Sequence, residues 1–370
     1  YGTMSLKEVL EPAIGIAKKG YPLVPNIVNT IKSVEQLFRD EWKSSAEIYL
    51  PGGNLPNAGD FFTNIKMAET YERIVNESES KSHDKKEQIQ YARKIWKQGF
   101  VAEAIDEYCK NVEVMDTTEN RHKGLLTGDD LANWSATIEN PTSYNYKNYT
   151  VCKTGPWGQG PTFLQQLALL KGFDLDSLNE TSPEFIHLVI ESTKLAFADR
   201  EAFYGDTNFT DVPMDILLSE EYNIERRRLI TNNASMEVRP GSIPGYGGDV
   251  VVRPKGKTPE SFSKFDIGEP TVARFDEPLP NSLGETKGDT THFDIIDQWG
   301  NMIAGTPSGG WLQSSPIIPS LGFCLSNRGQ MFWLDKKSPA CIGPKRRPRT
   351  TLSPTPVSYT HLRAHETRIH

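Results

Sequence analysis

"GDTTHFDIIDQWGN", residues 288–301, decides how the second half of this chain folds. Thr291, Phe293 and Ile295 alternate with residues of the opposite face, and this period of two predicts a β-strand. The letters "QWGN" supply the glycine and asparagine of a tight turn, after which a second apolar run begins at Met302. The stretch therefore predicts a β-hairpin whose first strand opens with a threonine.

The threonines before the strand also suggest a chemical role. A threonine hydroxyl is a weak nucleophile at neutral pH unless a nearby base takes its proton. Cutting the bond between Asp289 and Thr290 would create such a base, since a free α-amine titrates at about 7.7 to 8.0. Residues 240–289 have the Gly, Pro, Ser and charge content of an exposed linker, where such a cut is feasible. The alternative, which spacing alone favours, is that Thr290 and Thr291 only begin the strand.

Length and charge limit the possible classes of protein. The 370 residues suffice for one large or two ordinary domains, and no apolar run approaches the length of a membrane span. A formal net charge of -7 and a pI near 5.6 argue against a nucleic-acid partner. The one basic run, "GPKRRPRT" at residues 343–350, is short, and we interpret it as a solvated loop.

The cysteine and histidine spacings predict neither a metal site nor a cofactor. The four cysteines are far apart and form no CxxC motif, which argues against a zinc knuckle and a dense disulfide framework: Cys109, Cys152, Cys324 and Cys341. His361 and His365 have the i, i+4 spacing of helical metal ligands, but no third ligand accompanies them.

The sequence leaves the compartment open. Six Asn-x-Ser/Thr triplets suit a secreted surface, although such triplets also arise by chance: Asn76, Asn133, Asn148, Asn179, Asn208 and Asn233. They slightly favour a secreted or periplasmic location over the cytoplasm.

The first half of the chain is predicted to be largely helical. Ser5 and Glu8 form a capping box before a helix that ends at Gly20. Further helices are predicted over residues 85–110 and, with the same type of cap, after Thr127 and Asp130.

A strand and a glycine turn are predicted in "YTVCKTGPWGQG", residues 149–160, followed by two core helices. The first helix ends at Gly172 and the second begins at Pro183. The expected inward-facing residues are Phe163, Leu167 and Leu170 on the first, and Phe185, Leu188, Val189 and Ala196 on the second.

Six segments follow one another in an order that resembles a known family. They are "SLKEVLEPAIGIAKKGYPL", "GLLTGDDLANW", "WGQGPTFLQQLALLKGFDL", "HLVIESTKLAFADREAFYGD", "DTTHFDIIDQWGN" and "RPRTTLSPT". Over nearly all of residues 1–357 the chain resembles the γ-glutamyltransferase family, also called γ-glutamyltranspeptidases or glutathione hydrolases. The resemblance implies an N-terminal-nucleophile hydrolase, made as a precursor that cuts itself into two subunits, whose new N-terminal threonine matches Thr290.

The fold that this resemblance implies is α+β, a four-layer αββα sandwich, here incomplete. Residues 1–289 would be the larger subunit, with residues 240–289 as the linker before the cut, and residues 290–357 the start of the smaller subunit. The two cleaved subunits would stay associated. The last residues, 358–370, resemble a translated cloning adaptor, and we expect them to lie outside the fold.

The resemblance also implies a mechanism without a cofactor. Thr290 would attack a small-molecule γ-glutamyl or related acyl amide, and water or an amino acid or peptide acceptor would then release the acyl group. Ser308 matches the hydroxyl that the family places beside the nucleophile. Thr350 and Thr351 match the paired hydroxyls that hold the carboxylate of the substrate.

Two departures from the family pattern fall where that family binds the α-ammonium of a γ-glutamyl group. The asparagine of the family becomes Gly310, and its "NNQMDD" segment reads "SNRGQMFWLD" here. Gln330 is kept, whereas the aspartate that pairs with the ammonium falls on Trp333. An indole offers a cation-π face in place of a carboxylate, and Asp335 is a substitute candidate.

Three functions remain open: a γ-glutamyl hydrolase or transferase, an acylase of the same fold for glutaryl-type amides, and a catalytically dead binding relative. The family's substrate-binding arginine matches no residue after Tyr1, and its Gly-Gly oxyanion donors match none before residue 357. We therefore expect the 370-residue chain by itself to be inactive.

Overall fold

A computed structural model describes residues 2–116, 118–247, 290–309, 311–326 and 328–359. The helices in these ranges are α1 Leu6–Lys19, α2 Pro25–Ser33, α3 Glu35–Asp40, α4 Lys43–Tyr49, α5 Ile65–Lys81, α6 Lys85–Gln98, α7 Phe100–Asn111, α8 Gly128–Asn133, α9 Gly160–Leu170, α10 Pro183–Phe203, α11 Met214–Leu217 and α12 Glu220–Arg227. The strands are β1 Tyr21–Pro22, β2 Phe61–Phe62, β3 Glu113–Met115, β4 Arg121–Lys123, β5 Thr142–Tyr146, β6 Tyr149–Lys153, β7 Phe293–Ile296, β8 Met302–Gly305, β9 Ile317–Ile318, β10 Phe323–Cys324 and β11 Val357–Tyr359.

The described residues divide into two compact units. One holds residues 2–137 and 309–326, and the other holds residues 138–247, 290–308 and 328–359. Helices and strands are mixed in both units and all named strand pairs are antiparallel, which agrees with the α+β class. The four-layer arrangement and the subunit boundaries stay predictions.

The first unit is mainly helical, and its two largest apolar clusters lie between helices. One cluster buries Leu37, Phe38 and Trp42 of the α3–α4 region, and the other packs Ile95 and Ile105 against residues of the β9–β10 hairpin. The capping box of Ser5 and the one of Thr127 are both present, so the local cap predictions are confirmed.

The helix predicted over residues 85–110 is interrupted at Gly99, which separates α6 from α7. A Cβ built on Gly99 would lie 2.9 Å from the Cα of Ile95, closer than side chains approach a backbone. Glycine therefore permits a close turn here, and the predicted helical stretch consists of two helices separated at this one residue.

The second unit contains the sheet β11-β6-β5, with β6 in the centre and antiparallel to both neighbours. The strand and glycine turn predicted from residue 149 onward are confirmed, because β6 ends at Lys153 just before Gly155 and Gly158. Strand β11 continues to Tyr359, two residues into the segment interpreted as an adaptor-like tail. His361 and His365 lie outside the described residues.

The buried faces of α9 and α10 differ in part from those expected. On α9, Leu170 is buried as predicted, but Leu167 is only half-buried, Phe163 is exposed, and Leu164 and Ala168 are buried instead. On α10, Phe185, Leu188 and Val189 are only half-buried, while Ala196 is buried as predicted. The C-terminal half of α10 buries three charged residues as well: Glu191, Asp199 and Arg200. Apolar periodicity could not locate these charges, and two of their partners lie beyond α10: Arg226 pairs with Asp199 and Arg239 pairs with Glu191.

The predicted hairpin is confirmed as β7 and β8, although β7 begins at Phe293 and not at a threonine. Its turn is closed by Asp297, which accepts hydrogen bonds from the backbone N–H groups of Trp299 and Asn301 at 2.9 Å. Gly300 has φ +83°, a conformation that favours glycine. Most of the predicted linker, from residue 248 to 289, lies outside the described residues.

Candidate active site

Thr290 and Ser308 face each other at the open end of the hairpin. The ladder of β7 and β8 pairs Phe293 with Gly305, and the same register continued outward sets Thr290 opposite Ser308. Their side-chain oxygens lie 3.1 Å apart, within hydrogen-bond distance, and either hydroxyl can be the donor. Thr290 is exposed and Ser308 is half-buried, so the threonine oxygen is accessible to a molecule from solvent. Asp289 lies outside the described residues.

The pair behind Thr290 and Ser308 on the same face is His292 and Thr306, which the sequence alone did not identify. Nδ1 of His292 lies 2.8 Å from Oγ1 of Thr306, and Nε2 lies 2.7 Å from Oδ2 of Asp294. The histidine thus connects the two strands and is itself held by a carboxylate of its own strand.

Thr350 and Thr351 lie on a different segment, which runs beside the glycine turn after β6. The backbone N–H of Thr350 donates to the carbonyl of Trp157 at 3.3 Å, and Thr350 forms an isolated bridge with Gly158. Thr350 is only 4% exposed, whereas Thr351 is half-buried. Among the described side chains, no hydrogen bond joins Thr290 to either of these threonines.

The basic run before Thr350 is not a solvated loop, so that interpretation was wrong. Arg347 donates to Asp206 through its backbone N–H at 2.8 Å and its Nη2 at 2.9 Å, and to Glu139 through Nη1 at 2.5 Å. Arg349 is 6% exposed and donates to Glu201 at 2.8 Å. These ion pairs fasten the segment that carries the two threonines.

The carboxylate of Glu139 also connects Arg347 to the turn that contacts Thr350. Nε1 of Trp157 donates to Glu139 at 2.9 Å, and the guanidinium of Arg347 lies 4.7 Å from the centre of a Trp157 ring. Since Trp157 accepts the hydrogen bond of the Thr350 backbone, a side-chain network positions that threonine.

Lys153, at the end of β6, is another buried cation that the sequence did not reveal. Its Nζ donates to the carbonyl of Ser353 at 3.1 Å, to Oγ of Ser353 at 2.9 Å and to Oγ1 of Thr355. It also lies 5.0 Å from the centre of the Phe163 ring. Burial lowers the pKa of Lys153 to about 8, and the negative charge of Asp294 offsets part of this lowering.

The low pKa of Lys153 predicts how pH changes stability. Between about 8 and the ordinary value of 10.5 the unfolded chain holds a proton that the folded chain has released, so stability rises with pH in this window. Below about pH 8 the lysine is charged in both states and its contribution is constant. Relative to Lys153→Met, the free energy of unfolding of the natural protein should increase by on the order of 3 kcal/mol between pH 7.5 and 10.5.

Urea unfolding of both proteins across this pH range measures the gain. Lys153→Arg is the matched control. Arginine keeps its charge over this pH range, so the free energy of unfolding of this variant should not rise with pH as that of the natural protein does. Parallel curves for the natural protein and Lys153→Met would show that the pKa of Lys153 is not lowered.

The residues expected at the ammonium end of the substrate lie on a third segment. Trp333 is half-buried, and its backbone bonds to Ala340 and Ile342 at 3.1 and 2.9 Å. Asp335, the substitute candidate, is exposed and accepts from the backbone N–H of Lys337 at 2.9 Å. Gln330 is exposed on a short 3₁₀ turn, and Gly310 lies outside the described residues.

The described residues offer neither a metal site nor a membrane-spanning helix. The described residues hold no group of three or more His, Cys, Asp or Glu side chains arranged to bind a metal ion. In the same residues, no helix is both long enough and apolar enough to cross a bilayer. All four cysteines are free thiols.

Comparisons with family models and with curated proteins both find proteins related to this chain. The family model described as "Gamma-glutamyltranspeptidase" matches residues 1–364. The chain is similar to a glutathione hydrolase proenzyme of Bacillus subtilis (strain 168), 28% identical over 358 residues, which are 96% of this chain and 53% of that protein. It is also similar to the Acylase ACY 1 proenzyme of Pseudomonas sp. (strain SE83), 26% identical over 357 residues, 96% of this chain and 52% of that protein.

A solved structure resembles nearly all of the chain. The structure described as "Structure of LmbA2991HD" is 43% identical with a TM-score of 0.81, and the match covers 97% of this chain and 57% of that one. The chain spans about half the length of the curated relatives that it matches.

Proposed function

Because the chain belongs to the gamma-glutamyltranspeptidase family, we propose that Thr290 is the nucleophile of a self-processing amidohydrolase and acyltransferase. Its substrates would be γ-glutamyl groups on glutathione-like amides, and its two cleaved parts would remain associated. The observation that carries the proposal is the 3.1 Å separation of the Thr290 and Ser308 hydroxyl oxygens at the exposed end of the hairpin.

The first half-reaction forms an ester on Thr290. After the bond between Asp289 and Thr290 is cut, the free α-amine takes the hydroxyl proton while Oγ1 attacks the amide carbonyl. The tetrahedral intermediate collapses when the amine returns that proton to the leaving nitrogen, which departs as an amine. Ser308, hydrogen-bonded to Thr290, orients the attacking oxygen.

The second half-reaction releases the acyl group. Water, or the amine of an amino acid or peptide, attacks the ester carbonyl and gives its proton to the α-amine of Thr290. Breakage of the ester bond returns the proton to Oγ1, which restores the nucleophile. Hydrolysis and transfer therefore share one covalent intermediate and differ only in the acceptor.

The carboxylate of the acyl group is proposed to bind at Thr350 and Thr351. The oxygen of Thr350 accepts from the backbone N–H of Leu352 at 3.2 Å, which leaves its hydroxyl proton available to donate. Thr351 is the less buried of the two and is the better candidate for direct contact. The ion pairs of Arg347 and Arg349 keep this segment rigid, so the hydroxyls are preorganised.

The covalent intermediate offers a direct experiment. The natural protein that contains this chain is mixed with a slowly hydrolysed γ-glutamyl or glutaryl ester, quenched in acid and digested. Mass spectrometry should find the acyl group on the peptide that begins at Thr290. An acyl group on any other residue would refute the proposed nucleophile.

A glutaryl-type acylase is the second candidate, and Trp333 favours it. A γ-glutamyl group differs from a glutaryl group by its α-ammonium, for which a carboxylate is the natural partner. The family's aspartate falls on Trp333, and Asp335 is exposed and already accepts from Lys337. The acyl group would then be bound more through its carboxylate than through its ammonium.

A comparison of two chromogenic anilides tests this specificity. We expect kcat/KM for the glutaryl anilide to equal or exceed that for the γ-glutamyl anilide. Trp333→Asp should raise the γ-glutamyl value by about tenfold, since a charge-assisted contact contributes about 1.5 kcal/mol or more.

Leu334→Asp is the matched control, because it adds the same charge at the exposed neighbouring position and should leave the ratio unchanged. A clearly higher kcat/KM for γ-glutamyl anilide in the natural protein would rule out the inference from Trp333.

A further inference from the structure

The face of the hairpin that carries Thr290 also carries His292 and Asp294, because side chains in an extended strand alternate between faces. Across the ladder Asp294 pairs with Ala304, and the same register places His292 opposite Thr306. The side chains of Asp294, His292 and Thr290 therefore form one column on this face, which ends at the proposed nucleophile.

The imidazole of His292 occupies the centre of this column and is held on both sides. Its Nε2 lies 2.7 Å from Asp294 and its Nδ1 lies 2.8 Å from Thr306. When Nε2 carries the proton and donates to the carboxylate, Nδ1 accepts from the threonine hydroxyl. The ring then has one defined orientation and connects β7 to β8.

The connection lies at an end of the hairpin to which the described residues add little other support. All four residues of β7 are exposed, so burial does not fix the register at this end. The regular backbone ladder begins only at Phe293 and Gly305, and the positions beyond it depend on side-chain bonds. An exposed hairpin end without such a bond frays, because few contacts oppose its opening.

We propose that His292 is a positioning residue, whose bond to Thr306 holds the strand ends so that the hydroxyls of Thr290 and Ser308 meet. This inference rests on the proposed function and adds a residue to it. His292 has no role as a base for the substrate: it acts through the backbone of the hairpin. Asp294 sets the ring orientation, and Lys153 interacts electrostatically with that carboxylate from β6.

If His292 acts by positioning, a side chain at position 292 must make the same two hydrogen bonds but need not transfer a proton. His292→Ala should lower kcat by about 10- to 100-fold, since small displacements of a nucleophile have effects of this size, with KM nearly unchanged. His292→Gln should recover most of the activity, because a carboxamide can donate to Asp294 and accept from Thr306. Thr306→Val should resemble His292→Ala, and the double variant should be no worse than either single one.

The experiment measures kcat, KM and self-cleavage for these variants in the natural protein, with thermal melting as a check of folding. Ile295→Ala, an exposed position on the other face of β7, is the control and should behave like the natural protein. A Gln variant as inactive as the Ala variant, or an Ala variant with full activity, would overturn the positioning role. Thr290→Ala is assayed in parallel, because activity in that protein would refute the nucleophile whatever His292 does.

Discussion

Thr290→Ala should abolish both self-cleavage and amide hydrolysis in the natural protein that carries this sequence. The substitution removes the attacking oxygen, and losing the nucleophile of such a site lowers kcat by about 10⁴-fold or more. The two losses should occur together because the same hydroxyl begins both reactions. Gel electrophoresis follows the cleavage, and release of a chromogenic amine follows hydrolysis.

Two neighbouring substitutions serve as controls for Thr290. Thr291→Ala should weaken activity only mildly, since alternation places that side chain on the other face of the hairpin. Ser308→Ala should have an intermediate effect, because it removes the 3.1 Å contact but leaves the nucleophile. A Thr290→Ala protein that still matured and turned over substrate would remove the basis of the mechanism.

Asp199→Ala should strongly destabilise the second unit. The carboxylate is 0% exposed and accepts from Gln165, Tyr222, Arg226 and the backbone of Gly241 at 2.6 to 3.1 Å. Burial raises the pKa of Asp199, an effect that Arg226 and the other donors partly offset. Its removal leaves the buried guanidinium of Arg226 without its carboxylate, which costs about 3 to 5 kcal/mol.

Urea unfolding measures this loss, and an exposed ion pair of the same unit supplies the control. Arg228 and Glu225 are 2.6 Å apart, but their side chains are 70% and 63% exposed. Glu225→Ala should therefore cost about 0.5 kcal/mol or less. Similar losses for the two variants would show that the Asp199 network contributes no more than a surface pair.

Features set by neighbouring residues were predictable from the sequence. The capping boxes of Ser5 and Thr127 depend on a residue three positions away, and both are present. The hairpin of β7 and β8 follows from alternation and the turn at Gly300. The break at Gly99 was missed although its cause is local: a Cβ at this position would meet the backbone of Ile95, four residues earlier.

Buried charges were the main features that the sequence could not reveal. Asp199 and Arg226 are 27 positions apart, and Arg347 lies 141 positions from Asp206. Long-range partners decide whether a charge is buried or solvated, and local composition carries no information about them. The basic run around Arg347 therefore appeared to be a solvated loop.

The candidate site was predictable in part. The family pattern singled out Thr290 and Ser308, and the structure places them in contact, whereas their catalytic roles remain proposals. His292 and Lys153 carry no recognisable motif, since Thr306 and Ser353, which help to position them, lie on other segments of the chain. Their positions follow only from the register of the strands and the path of residues 350–357.

The N-terminal sequence of the mature natural protein tests the central proposal most directly. Purified protein is analysed by intact mass and by Edman degradation of each band. We predict two pieces divided between Asp289 and Thr290, the smaller of which begins with the residues Thr-Thr-His-Phe. A single uncut chain in an active preparation, or a new N-terminus at any residue other than Thr290, would contradict the account.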